Sequence, residues 1–212
     1  MSYKSTLNPK IYLKLLDEIS KYTQSELMVV TKNQSQLAVM DLIKKGQKIF
    51  GENRIQEAKN KFSGISSDLY QLHLIGPLQS NKVKTALNIF DVIQSIDRTK
   101  IVHEIVKFLP NTPKTKEFYI QINIGEEPQK SGVMPEFIHN FYDICVENNL
   151  NITGFMCIPP IDQPADFYFK KMVEIRNKIN PSLKLSMGMS NDYKLALDLG
   201  SNIIRVGSLL FK

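Results

Sequence analysis

The chain has 212 residues, a net charge of +6 and 42% hydrophobic and 23% charged residues, a globular composition with length for one sizeable core and no mark of disorder. No apolar run reaches membrane-spanning length, and the start, MSYKSTLNPK, lacks the basic-then-apolar layout of a secretion signal, so a cytoplasmic protein without a membrane partner is expected. Two separated cysteines, Cys145 and Cys157, and three dispersed histidines have no metal-ligand spacing and predict reduced core thiols and no metal site.

The basic clusters IKKGQK and NKVK raise the question of a nucleic-acid partner. No aromatic residues alternate with these lysines as a base-stacking platform requires. Elsewhere, in EAKNKF and YKLALD, lysines and acids interleave as on a solvated face, so no nucleic-acid partner is expected.

In chain order, an amphipathic helix (9–22) precedes a first apolar run, ELMVVTK (26–32). Further strand-like runs follow at 48–53, 70–76, 90–96, 117–125, 152–159, 183–190 and 202–211, bounded by Gly, Asn, Asp or Pro. Helical periods lie between them. In 97–109, Ile101, Val102, Ile105, Val106 and Leu109 share a face; in 134–148, Phe137, Ile138, Phe141, Ile144 and Cys145 do. Strands alternating with helices about every 25–30 residues predict an α/β fold, a (β/α)8 TIM-type barrel of one domain, residues 1–212, with an extra N-terminal helix. An open doubly wound sheet is the alternative, but Lys32 and Asn33 stand where its Gly-rich turn would follow the first strand.

In such barrels the chemistry sits at the carboxyl ends of the strands. That rule selects Lys32, Gly51–Asn53, the IGP after His73, SIDR (95–98), KSG (130–132), Ser190 and the RVGS of 205–208. Ser190 at the end of strand seven and Gly207 and Ser208 on strand eight suit an anion such as phosphate, or else pack strand against helix. Arg205 shares pleat parity with Gly207 and either faces the barrel interior or pairs outward with a helix. Lys32 is either a solvated strand-end lysine or an amine able to condense with an aldehyde. His73 reads as a hydrogen-bonded interior histidine.

The segments VVTK, FGENRIQEAKNK, HLIGPLQSNKVK, QSIDR, QINIGEEPQKSGV, GFMCIP, LSMGMSNDYKLAL and IIRVGSLLF run in order from residue 29 to the C-terminus. With them the sequence resembles the pyridoxal phosphate homeostasis protein family, single-domain relatives of the alanine racemase N-terminal barrel. One departure stands beside Lys32, which precedes NQSQ where the family has a Thr-Lys-Pro-like segment.

The resemblance implies a ligand, pyridoxal 5′-phosphate, held as a reversible Schiff base on Lys32. By the same resemblance Ser190, Gly207 and Ser208 contact its phosphate, Asn53 lies beside its ring, and Arg205 meets its pyridine end or its phosphate. It further implies control of cofactor supply with no established reaction; the recipients expected are apo-enzymes that use the cofactor, and the expected state is a monomer. In alanine racemase-like enzymes an opposing tyrosine comes from a second, β-rich domain, for which the strand pattern leaves no room. A weak amino-acid racemase, or another enzyme using pyridoxal phosphate, is the alternative.

Overall fold

Eight short apolar runs become the eight staves of one barrel. The computed structural model describes residues 7–111 and 113–211. Strands β1 (Glu26–Val30), β2 (Ile49–Glu52), β3 (Gln71–Leu74), β4 (Val92–Ile96), β5 (Glu117–Ile122), β6 (Ile152–Cys157), β7 (Lys184–Ser186) and β8 (Ile203–Val206) pair in parallel, each with its chain neighbours. Closure comes from β8 pairing back to β1, with Met28 opposite Arg205 and Val29 opposite Val206.

Both faces of the sheet are covered, which is why the strands read as continuous apolar runs instead of alternating ones. Met28, Ile49, Val92, Tyr119, Met156 and Ile203 fill the interior. The opposite pleat, including Leu27, Val29, Phe50, Leu72, Ile93 and Phe155, packs against the helices.

The helical layer comprises α2 (Gln36–Lys44), α3 (Ile55–Phe62), α4 (Val83–Ile89), α5 (Thr99–Val106), α6 (Ile138–Glu147), α7 (Ala165–Ile179) and α8 (Tyr193–Asp198), preceded by α1 (Pro9–Ile19). Asn8 caps α1 by accepting from the Ile11 N–H, and the helix buries Tyr12, Leu15 and Ile19. Glu18 of α1 pairs with Lys194 at 3.1 Å and accepts from the Tyr193 hydroxyl at 2.5 Å, while Tyr12 donates to Gln47 in the loop just before β2. The extra helix therefore stands between α8 and the β1–β2 side, where a helix following β8 would otherwise close the ring.

Element ends differ from the sequence expectation in an informative way. The run 183–190 is a strand only over Lys184–Ser186, because Gly188 turns the chain at φ +92°. The run 202–211 is a strand only to Val206, after which a turn closes with the Leu210 N–H on the Gly207 carbonyl. A 3-10 turn, Pro135–Phe137, precedes α6, so Phe137 leaves the apolar face and is exposed.

Candidate functional site

At the carboxyl ends of the strands, barrel closure joins residues far apart in sequence. Lys32 lies in the turn after β1, on the inward parity of Met28 and Val30; it is exposed and without a side-chain partner among the described residues. Across the β1–β8 pairing, Gly207 sits against Val30: a Cβ on Gly207 would lie 2.9 Å from the Val30 carbonyl oxygen. Ser208 follows and donates its hydroxyl to the Ser190 Oγ at 3.1 Å. Lys32 and this pair of hydroxyls thus share one sector of the mouth, built from the ends of β7, β8 and β1. Ser190, Gly207 and Ser208 lie in the loops beyond the strands, not on them as the sequence suggested. The reason is the two backbone turns at Gly188 and Gly207.

Asn53 follows β2 on the inward parity of Ile49 and Gly51. Its Oδ1 is buried and finds no hydrogen-bond partner among the described residues. Gly76, in the IGP segment, packs on its backbone so closely that a Cβ would stand 2.1 Å from the Asn53 carbonyl oxygen. The two motifs are therefore one structural unit.

Arg205 lies inside the barrel, buried at 4% exposure. Its guanidinium donates to the Ser186 carbonyl at 2.6 Å, the Ser186 Oγ at 3.0 Å and the Cys157 carbonyl at 2.8 Å. It forms no ion pair among the described residues. Burial pulls its pKa below the usual guanidinium value, while Cys157 and Asp192 oppose the shift.

A directed chain of hydrogen bonds leaves Arg205 through the interior. Ser186 accepts from Arg205 and donates to Gln94 Oε1 at 2.7 Å, so Gln94 presents its amide N–H to His73 Nδ1 at 2.9 Å. His73 then carries its proton on Nε2, which is buried and unpartnered among the described residues. Burial, with a smaller effect from Lys184, pushes the His73 pKa down to about 3 and keeps the ring neutral. Cys145 and Cys157 are buried free thiols, both pushed up to about 12 by burial, and so are poor nucleophiles.

Beneath Lys32, on the outer face of the barrel, is a cluster that the sequence did not suggest. Thr31 donates its hydroxyl to Glu52 Oε1 at 2.7 Å. Lys61 of α3 donates to Glu52 at 2.6 Å, to Glu57 at 2.8 Å and to the Thr31 carbonyl. Glu57 also accepts the Asn33 N–H at 2.5 Å. The reading of EAKNKF as a solvated face fails at Lys61, whose side chain is 4% exposed beside a Glu52 side chain that is 0% exposed. The residue missed by composition is one whose partner, Glu52, lies on a neighbouring strand.

Burial pushes the Glu52 carboxyl up, and Lys61 and Thr31 oppose that shift. For Glu57, burial acts upward too, but the hydrogen bonds from Lys61 and the Asn33 N–H prevail and hold the carboxyl below its usual value.

The other half of the mouth holds a cavity of about 230 Å³ lined by Ile75, Pro77, Gln121, Asn123, Lys130 and Ile158, among others. The segment after β5 folds back there, with Val133 N–H on the Gln121 carbonyl and Asn123 N–H on the Val133 carbonyl. The sequence pointed to it through KSG (130–132) and the IGP after His73.

No family model matches the chain. Its parallel barrel superposes on alanine racemase of Oenococcus oeni with a TM-score of 0.71 at 14% identity, over 97% of this chain and 62% of the racemase. The two chains thus share one fold, the (β/α)8 barrel. The pyridoxal phosphate homeostasis protein of Aquifex aeolicus is 37% identical over 175 residues, 78% of this chain and 77% of that protein. PipY of Synechococcus elongatus, solved with PLP bound, aligns with a TM-score of 0.80 at 29% identity, over 95% of this chain and all of PipY; solved without PLP, it aligns at 0.83. The chain belongs to the pyridoxal phosphate homeostasis protein family.

Proposed function

We propose that this protein binds pyridoxal 5′-phosphate, attaches it reversibly at Lys32 and governs its supply inside the cytoplasm, as a monomeric, single-domain carrier and not as an enzyme. The observation that carries this reading is the β1–β8 closure. It sets an exposed amine, without a side-chain partner among the described residues, in the same sector of the mouth as two hydroxyls 3.1 Å apart and a glycine that lets β8 pack closely on the Val30 backbone.

The cofactor supplies an aldehyde that condenses with a primary amine and an anionic phosphate that needs donors. The residues present suit both ends. Lys32 offers the amine. Ser190, Ser208 and the backbone at Gly207 offer neutral donors at the mouth. Arg205 offers a fixed positive charge below them, with no carboxylate paired to it among the described residues, so an anionic ligand would meet charge of the right sign. Asn53 offers an orphaned buried carbonyl oxygen on the inward side of β2.

Recipients would be apo-enzymes that need the same cofactor. An exposed lysine turn favours exchange over a water-excluding reaction site. Equilibrium dialysis against the cofactor tests the reading: the unsubstituted protein should retain it, Ser190→Ala with Ser208→Ala should lose at least about tenfold in affinity, and equal retention would overturn the proposed phosphate contacts. Incubation with L-amino acids followed by chiral chromatography tests the carrier reading, which expects no Lys32-dependent turnover; racemised product that disappears in Lys32→Ala would overturn it.

A further inference from the structure

We infer that Glu57, Lys61 and Glu52 form a clamp that positions the Lys32 amine, which makes them positioning residues for cofactor attachment. The inference rests on the cofactor reading above and adds to it residues that touch no ligand.

The contacts of the cluster converge on the two residues flanking Lys32. On one side, the Thr31 carbonyl accepts from Lys61 and the Thr31 hydroxyl donates to Glu52. On the other, the Asn33 N–H donates to Glu57 at 2.5 Å. Asn33 holds φ +63°, a left-handed conformation with a cost for a residue bearing a side chain, and the bond to Glu57 offsets that cost.

Stability alone is a poor explanation for such a cluster. Burying a lysine against two carboxylates is commonly no better for stability than an apolar filling of the same volume. What an ionic network does supply is one defined geometry. That matters here because a lysine has a long, flexible side chain, and an amine that must meet a carbonyl gains from a main chain that does not move. Lys61 and Glu57 are four residues apart on α3, so one helix carries both arms of the clamp. Glu52 ends β2 immediately before Asn53, which ties the clamp to the inner wall of the same mouth.

The chemistry being positioned is a condensation: the neutral Lys32 amine adds to the aldehyde carbon, a carbon–nitrogen double bond forms and the aldehyde oxygen leaves as water. No oxidant or reductant is involved.

The test compares Glu57→Ala and Glu57→Gln with the unsubstituted protein. Glu57 is partly exposed, and the glutamine keeps a carbonyl oxygen for the Asn33 N–H. Total cofactor bound is measured by dialysis and alkaline release, and attachment at Lys32 by borohydride trapping at timed intervals followed by peptide mass. Glu57→Ala should bind within about twofold of the normal total but attach about tenfold more slowly, the size expected for one lost hydrogen bond to a charged acceptor. Glu57→Gln should restore the rate to within about threefold, because it keeps an acceptor for the Asn33 N–H. Attachment at the normal rate in Glu57→Ala, or equal slowing in both variants, would overturn the clamp while leaving the cofactor reading intact. Absence of any adduct at Lys32 in the unsubstituted protein would overturn both.

Discussion

Arg205 shows how far one residue's position can be argued and where the argument changes. Pleat parity with Gly207 points it inward, and inward it lies. A cup residue at the mouth would be replaceable without harm to the fold, but this guanidinium ties Ser186 of β7 to Cys157 of β6 with three hydrogen bonds. Arg205→Gln should therefore weaken cofactor retention at least about tenfold and also cost about 2 kcal/mol of stability, or about 4–8 °C in Tm for a chain of this size. Dialysis and thermal melting check the two effects separately.

His73 gives a pH prediction at the same scale. Its folded pKa of about 3 lies below the ordinary 6.5, so the unfolded chain takes up the proton first as acid is added. The contribution of this group is whole above pH 6.5 and declines by up to about 1.4 kcal/mol per pH unit from there toward pH 3. Denaturant titrations at pH 7, 6 and 5 should show a steeper loss for the native protein than for His73→Gln; parallel losses would contradict the buried neutral ring. Lys61→Met should cost about 3–5 kcal/mol, because it strands Glu52 buried without its counter-charge.

At the scale of elements, the sequence locates the strands well and their ends poorly. Each apolar run contains a strand, because barrel strands covered on both faces need continuous apolar residues. The runs overshoot where apolar and small residues continue into loops that themselves pack on the mouth, as at Met187–Met189 and Leu209–Phe211. Gly188 marks the true end of β7: it holds φ +92°, and a Cβ there would lie 2.4 Å from the Ala196 Cβ of α8. Gly188→Ala should cost about 1–3 kcal/mol and shift the Ser190 hydroxyl away from Ser208. A lower Tm together with weaker cofactor retention is expected; a lower Tm with unchanged retention would detach Ser190 from the site.

Across the whole molecule, alternation and spacing make the barrel legible, and the strand-end rule makes Lys32, Ser190, Gly207 and Ser208 legible as candidates. Closure, which the barrel pattern implies, brings residues 32 and 207 together. Two things were not legible. The sequence does not show that α1 occupies the helical position beside α8. The pairing of Lys61 with Glu52 was hidden as well, since a lysine among acids looks the same whether it faces water or the buried carboxylate that ends the preceding strand. Both depend on how a helix packs against the ring and not on the pattern of any one segment.

Closure also makes the central claim testable in one step. The protein mixed with pyridoxal 5′-phosphate, reduced with borohydride and digested should yield a phosphopyridoxyl group on the peptide containing Lys32, with a visible absorption band that reduction bleaches. Lys32→Ala should show neither. A folded, unsubstituted protein that stays colourless and unmodified, or a Lys32→Ala protein labelled equally well elsewhere, would contradict the account.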